Sequence, residues 1–354
     1  PALQVALAGN NPPDVALANG TDVQNLAFNG ALASLDDVFD DADKADFMPD
    51  LVDMVTWDGT MYGAPWEQAA IAFFYNVDYF ESAGIEVPTE LSDAWTWPEF
   101  KANVQAVIAD QAAAGNDITG FVGFQAPIQG TFFAWNVIRS NSAPGSPLWD
   151  GIAPDLSTVA GYVDTPEAVE AYEFWASLYE DGVSPREAIP DAFGSGSAAT
   201  WMAVISVARG LDANFPDTNW GLMPIPYFKT PLTHTGSFTP IVPAKSDALD
   251  TAKLFAEFVV SAEGFLAYHN VTPTIPGRLS VQAQLPEMNE GWLGFLLNSA
   301  VETGVARPGG PTYPIYDRII GRDLLINIAL GTPIDEAVAT AIAEMDAQLG
   351  QFSR

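Results

Sequence analysis

A tryptophan, a carboxylate and an amide stand side by side as Trp66, Glu67 and Gln68 in the stretch MYGAPWEQAAIAFFYNVDYF, residues 61–80. A sugar ring has apolar C–H faces and a rim of hydroxyl groups, so an aromatic surface beside carboxylate and amide groups is suited to bind one. We therefore predict that at least one of the three lines a binding site. The alternative for Trp66 is a core anchor, and the following Phe73–Tyr75 is predicted to be a core strand.

Signatures of catalysis are weak in this chain. The two histidines, His234 and His269, are far apart in sequence, and neither a Gly-x-Ser-x-Gly elbow nor a Gly-Lys-Ser/Thr phosphate loop occurs. GSGSAA, residues 194–199, has the spacing of a dinucleotide fingerprint but lacks the hydrophobic strand before it and the helix after it. A glycoside hydrolase using Glu67 and a second carboxylate stays open as an alternative. We otherwise predict no enzyme activity and no cofactor.

An acidic run follows the first predicted helices. The segment DDADKAD, residues 40–46, has acids at spacings reminiscent of a calcium loop, but it lacks the central Gly and the closing Glu. We predict a solvated acidic face and no metal site.

The totals limit the class of partner. At 354 residues the chain is long enough for two domains, and its formal net charge of −32 comes with a charged content of only 16%. Lys and Arg are scarce, so nucleic acid and anionic membrane surfaces are excluded as partners. The absence of cysteine excludes disulfides and thiolate chemistry. The chain begins at Pro1 without a leader pattern, for which we expect a removed leader or trimming.

Helix and strand signals alternate along the chain. Helices are predicted at Val23–Phe28, after the caps Thr96 and Thr165, at 317–330 and at 333–349, and strands at Val15–Leu17, 199–207 and 219–226. In a further helix near residue 255, Leu254, Phe255, Phe258 and Val259 are predicted to face inward. This alternation predicts an α/β fold whose ligands bind at strand ends.

Several segments, in collinear order, resemble one family. They include LAGNNPPDV, DGTMYGAPWEQAAIAFFYNVDYFESAGIEVP, DTPEAVEAYEFWASLYEDGV, AFGSGSAA and FAEFVVSAEGFLAYHNVTPTIPGR. The chain resembles the sugar-binding extracellular solute-binding proteins of ABC importers, which are similar to maltose-binding protein. The family's opening strand and part of its first helix have no counterpart here.

The resemblance implies a two-lobed, type II periplasmic-binding-protein-like α/β fold, in which crossing strands form a hinge. Lobe one would comprise residues 1–75 and 240–305, and lobe two residues 76–239 and 306–354. The crossings would lie at Phe73–Asn76, Gly236–Val242 and Gly304–Tyr316.

The resemblance also implies ligand-contacting residues. They are Asn19, Thr21 and Asp22 after the first strand, Phe132 and Trp135 as stacking positions, Gly236, Ser237 and Phe238 in the return crossing, and Arg307, Tyr313 and Tyr316 in the third. A family tryptophan is replaced by Val204-Ile205-Ser206, and Trp201 is the expected substitute. The alternatives are a turn with a helix cap at Asn19–Asp22, core packing for Phe132, Trp135 and Trp201, and a surface ion pair for Arg307.

By this resemblance the protein captures a carbohydrate in a cleft between the lobes and delivers it to ABC-transporter permease subunits. A monomer is expected, extracellular or periplasmic, with lipid anchoring through a leader as one arrangement. A non-sugar solute such as a polyamine is a further alternative, because a polyamine needs a carboxylate-lined site.

Overall fold

The computed structural model describes residues 2–272 and 274–352. Its helices are α1 Ala2–Ala8, α2 Val23–Phe28, α3 Asp41–Asp46, α4 Pro49–Val55, α5 Val77–Ser82, α6 Trp97–Ala113, α7 Ala134–Arg139, α8 Pro147–Asp150, α9 Pro166–Glu180, α10 Ala208–Asn214, α11 Leu249–Val259, α12 Ala262–His269, α13 Leu279–Gln282, α14 Gly291–Thr303, α15 Tyr313–Tyr316, α16 Leu325–Ala329 and α17 Ile334–Leu349. A π-helical segment, Asp317–Leu324, precedes α16.

The strands are short and alternate with these helices. They are β1 Ala16–Asn19, β2 Thr56–Trp57, β3 Thr60–Met61, β4 Glu67–Gln68, β5 Ile71–Asn76, β6 Thr119–Val122, β7 Ala198–Val204, β8 Trp220–Met223, β9 Thr233–His234, β10 Phe238–Ile241, β11 Ile275–Pro276 and β12 Gly304–Val305. The α/β prediction is thereby confirmed.

The chain divides into two compact units. Unit 1 comprises 1–70 and 235–314, and unit 2 comprises 71–234 and 315–354. Three boundaries therefore separate the units, near residues 70, 234 and 314, where the resemblance implied boundaries near 75, 239 and 305.

Unit 2 is built on a four-stranded sheet in the order β6-β7-β5-β8. β6 runs parallel to β7, whereas β5 is antiparallel to both β7 and β8. Phe73 and Phe74 of β5 are fully buried, and the Phe73 ring stacks on Phe121 at 5.3 Å between centroids. The prediction of a core strand here is confirmed.

Unit 1 is held by shorter pairings. β1 is antiparallel to β10, with Ala16 opposite Ile241, and β4 is antiparallel to β11. Its core collects Leu35, Phe39 and Phe47 with residues of the β1–β10 pair. The ends of β1 and β4 thus lie in the same compact unit.

Local capping explains why several helices begin where the sequence predicts. The Thr96 hydroxyl accepts from the Glu99 N–H, and the Glu99 carboxylate accepts in return from the Thr96 N–H at 2.8 Å, which forms a capping box. Thr165 caps α9 in the same way through the N–H of Ala168.

The prediction for α11 is wrong. Leu254, Phe255 and Phe258 are exposed by 63%, 52% and 49%, whereas Ala252 and Ala256 are buried. Both sets recur at helical spacing, and the small residues face the core because they let the helix axis approach β10 closely. Side-chain size misled the prediction.

The acidic run forms a helix. Asp40 caps α3 by accepting from Ala42 N and Asp43 N, and Arg278 pairs with Asp43 at 2.9 Å and with Asp46 at 3.2 Å. Across residues 2–272 and 274–352, no helix is long and apolar enough to cross a membrane.

Candidate functional site

A small cavity of about 120 Å³ opens in unit 1 where three segments meet. These are the 3₁₀ turn after β1, helix α4 and the segment leading into α15. Its lining is largely polar and consists of Thr21, Gln24, Asp50, Asp53, Met54, Thr235, Ala306, Arg307, Gly310 and Tyr313. We refer to it as the polar pocket.

Arg307 organises one wall of the polar pocket. Its Nη1 donates to the Tyr313 hydroxyl at 2.6 Å, and its Nη2 donates to Asn19 Oδ1 at 3.3 Å. The Thr21 hydroxyl donates to the same Asn19 oxygen at 3.1 Å. Four residues predicted as ligand contacts, from segments nearly 300 positions apart, are therefore brought together as a hydrogen-bonding surface.

The backbone at β1 permits this approach only because residue 20 is glycine. A Cβ on Gly20 would lie 2.4 Å from Met54 Cε and 3.2 Å from the Ser237 carbonyl oxygen. The N–H of Gly20 donates to that carbonyl at 2.7 Å, which ties the turn to β10. Asp22 completes the 3₁₀ turn and makes no side-chain cap on α2.

Sequence reasoning identified only Thr21, Arg307 and Tyr313 among the ten described residues that line the pocket. Asp50 and Asp53 lie one turn apart on α4, so both face the pocket, and Gln24 is fixed by donating to the Asp53 and Thr56 carbonyl oxygens. The i,i+3 spacing just after Pro49 was the available signal. It was obscured because these acids closely follow the acidic run 40–46, which was interpreted as a solvated surface.

The Trp66-Glu67-Gln68 trio lies beside this pocket in β4 and the residue before it. Gln68 is 2% exposed and its amide donates to Asp50 Oδ2 at 2.5 Å, which links the trio to a pocket carboxylate. The Trp66 ring packs on Tyr268 with centroids 4.5 Å apart.

The Glu67 carboxyl is shielded from solvent by the surrounding protein. Its side chain is buried, and Oε2 has no hydrogen-bond partner among the described residues. Burial raises the pKa of Glu67, and the Thr274 hydroxyl partly offsets that increase. The protonated form is thus favoured here relative to a solvated carboxylate.

The return segment contributes mainly backbone. Gly236 accepts from the Ala69 N–H at 2.7 Å, and Ser237 is buried with its hydroxyl donating to the Phe238 carbonyl. The Phe238 ring is 56% exposed.

In unit 2 the predicted aromatic residues fall into two groups. Trp135 and Tyr316 are completely buried and pack edge-on with centroids 6.1 Å apart, so in this structure they serve as core. Phe132 and Trp201 are half-buried and belong to a connected row of rings that runs through Phe133 and Phe124. Successive centroids in that row are 4.9, 5.5 and 5.6 Å apart.

The histidines are engaged in hydrogen bonds. His234 Nδ1 lies 2.5 Å from the Thr131 carbonyl oxygen, and His269 Nε2 lies 3.0 Å from Glu287 Oε1. Within the described ranges no group of three His, Cys, Asp or Glu side chains is arranged to hold a metal ion.

A family model described as bacterial extracellular solute-binding protein matches residues 1–293. That match covers most of the chain and includes both β1 and the strand pair at Glu67-Gln68. The chain belongs to the bacterial extracellular solute-binding protein family.

Curated relatives of this solute-binding protein match parts of its sequence. A binding protein of Brucella abortus is 25% identical over 206 residues, which cover 56% of this chain and 45% of the relative. The lactose-binding protein of Rhizobium radiobacter is 31% identical over 103 residues, 28% of this chain and 23% of the relative. The matched parts thus span less than half of these curated relatives.

An ABC transporter solute-binding protein from Thermotoga lettingae, solved with α-D-tagatose, superposes with a TM-score of 0.83. It is 21% identical, and the match covers 99% of this chain and 88% of that structure. This likeness shows the two-lobed binding-protein fold.

Proposed function

We propose that this solute-binding protein captures a carbohydrate and that the polar pocket of unit 1 binds its hydroxyl groups. The observation that carries the proposal is the Arg307–Asn19–Tyr313 network, which faces a cavity also lined by Asp50 and Asp53. Carboxylates accept and a guanidinium donates in the plane of a sugar ring, so this wall matches a rim of hydroxyls.

Each unit, taken by itself, carries an aromatic side chain predicted as a ligand contact. The Trp66 ring of unit 1 and the Phe132 ring of unit 2 are each partly exposed, and a ring face of this kind suits the apolar C–H face of a sugar. The names of two similar proteins support the class of ligand, since one is called lactose-binding and the other was solved with α-D-tagatose. The remaining predicted contacts, Asp22, Gly236, Ser237, Phe238, Trp135, Trp201 and Tyr316, stay predictions.

The proposed partners and place follow from the family. We propose that the protein works outside the cytoplasm as a monomer that delivers its solute to ABC-transporter permease subunits, anchored by lipid where a leader supplies the anchor. We further propose that it is not an enzyme. The match to the solute-binding protein family supports this proposal over the glycoside hydrolase alternative.

Isothermal titration calorimetry tests the proposal with a panel of lactose, maltose, D-tagatose and D-glucose, together with the polyamines putrescine and spermidine. We expect saturable binding of one sugar with a stoichiometry of one, and no product by mass spectrometry after prolonged incubation. Binding of the polyamines and of none of the sugars would overturn the carbohydrate proposal in favour of a cationic solute. Release of a cleaved glycoside would overturn the non-catalytic assignment.

A further inference from the structure

Unit 2 contains a second, larger cavity, and among its lining residues the sequence analysis proposed only Trp201 as a ligand contact. Its volume is about 540 Å³, and it is enclosed by the loop after β6, the segment 185–194 before β7, and helix α10. All of its lining residues belong to unit 2. We refer to it as the apolar pocket.

Aromatic rings form its walls. Phe193 and Trp201 stack with centroids 5.9 Å apart and planes at 29°, and Phe124 meets Trp201 edge-on at 5.6 Å. Leu211 and Phe215 of the α10 region close the opposite side. Phe193 and Trp201 cover part of each other's faces, so the ring surfaces that remain in the lining are the ones a flat ligand could contact by offset stacking or edge-on.

Two large apolar side chains stand at the rim. Phe124 is 49% exposed and Ile189 is 40% exposed, and both line the pocket. Apolar surface left in water costs roughly 25 cal/mol per Å², so a ligand that covers these side chains gains that free energy on binding.

Hydrogen-bonding side chains are few in this lining. Among the described lining residues, Gln125, Asp191 and Asn214 carry polar side chains, and Asn214 already donates to the Gly210 carbonyl at 2.9 Å. A sugar ring would find few side-chain partners for its hydroxyl groups among these residues, and each group left unsatisfied would cost about 1–3 kcal/mol. The pocket therefore disfavours the ligand class that the polar pocket favours.

We propose that the apolar pocket is a binding site for an uncharged aromatic or alicyclic ring compound. An apolar cavity of roughly 150 Å³ is enough to hold benzene. A volume near 540 Å³ accommodates a fused two-ring system with room for substituents. No residue of the polar pocket lines this site, although Trp201, which the family resemblance places as a carbohydrate contact, does.

Calorimetric titration with 2-naphthol, an uncharged two-ring probe, tests the proposal on the full chain. Gly210→Trp is the informative variant. Gly210 lines the pocket, and a Cβ there meets only Asn214 Nδ2, at 4.0 Å, so the indole has room to fill the cavity. Ala106→Trp, on the exposed side of α6, is the matched control.

We expect one saturable site for 2-naphthol, at least tenfold weaker in Gly210→Trp and unchanged in Ala106→Trp. If Gly210→Trp fails to fold by circular dichroism, Ile189→Asn at the exposed rim replaces it, with Leu254→Asn in unit 1 as its control. Absence of saturable binding, or equal binding by the pocket variant and its control, overturns the proposal.

Discussion

The polar pocket of unit 1 and the apolar pocket of unit 2 differ in volume and in the side chains that line them. The first has a volume of about 120 Å³ and presents two carboxylates, a guanidinium, a phenol and hydroxyls. The second has about 540 Å³ and is walled by rings and aliphatic side chains. The polar pocket offers directional hydrogen bonds, whereas the apolar pocket offers apolar contact area.

This difference has consequences for selectivity. A site built to hydrogen-bond a hydroxyl rejects an analogue that lacks it, since its own buried groups are then left without partners. A hydrophobic site discriminates weakly, because one methylene more or less changes binding by only about 1–3 kcal/mol. We infer that the identity of the solute is determined in unit 1, whereas unit 2 tolerates a range of ring compounds.

The largest expected effect comes from Arg307. Replacing it with Ala removes a charged donor from the polar pocket, and sugar affinity should fall by about 10- to 100-fold, as calorimetry with the best sugar of the panel would measure. Arg307→Lys keeps the charge but loses the planar fork, so it should restore only part of the affinity.

Binding of 2-naphthol is the internal control for both Arg307 variants and should not change. If the sugar affinity of Arg307→Ala stays within twofold of that of the unchanged protein, the guanidinium does not contact the solute. If both ligands weaken together, the two pockets are not the separate sites that their linings indicate.

A substitution of Asp53, which also lines the polar pocket, should reduce sugar affinity less than Arg307→Ala does. Asp53→Asn keeps the size of the side chain but replaces one accepting oxygen with a donor, so a sugar hydroxyl that donates to it loses one bond. We expect a loss of about fivefold in sugar affinity, corresponding to about 1 kcal/mol. Asn214→Asp in the apolar pocket is the reciprocal variant and should weaken only 2-naphthol. An unchanged sugar titration with Asp53→Asn would remove Asp53 from the contact set.

Local signals in the sequence predicted much of the fold. Helix α2 has the predicted ends. Helices α6 and α9 begin at the predicted caps, because capping depends on residues only three positions apart. The orientation of α11 was mispredicted because it depends on the space above β10. No pattern within the helix itself records that distance.

The two pockets were predictable to different degrees for a physical reason. Asn19, Thr21, Arg307 and Tyr313 were identified because the family resemblance places them, although no spacing rule joins position 19 to position 307. The apolar pocket draws its walls from four segments of ordinary hydrophobic residues, of which only Trp201 was proposed. In a sequence, apolar side chains that line a cavity have the same pattern as those that fill a core.

The smallest expected effect is on the pH dependence of the Tm, which should differ in sign between a carboxyl of unit 2 and one of unit 1. The carboxyl in unit 2 is Asp317. Burial opposes its ionisation, but hydrogen bonds from the Thr131 hydroxyl and N–H, at 2.6 and 2.8 Å, and the nearby Arg322 hold the pKa of Asp317 below its usual value. The stability that this carboxylate contributes is present above the unfolded pKa and is lost as the pH falls through the folded pKa. Asp317→Asn should therefore lower the Tm at neutral pH and flatten its decline in acid.

Glu67 in unit 1 should show the opposite sign. Because burial raises the pKa of Glu67, the folded protein keeps this proton at pH values where the unfolded chain has released it. Stability is therefore fully present below the unfolded pKa and is lost as the pH rises through the folded pKa. Glu67→Gln cannot ionise, so above that window its Tm should exceed that of the unchanged protein by about 2 °C, and below it the two should agree. Thermal unfolding from about pH 3 to pH 8 measures both variants. Superimposable Tm profiles for Glu67→Gln and the unchanged protein would mean that water reaches this carboxyl. The interpretation of Glu67 as a buried carboxyl with a raised pKa would then be wrong.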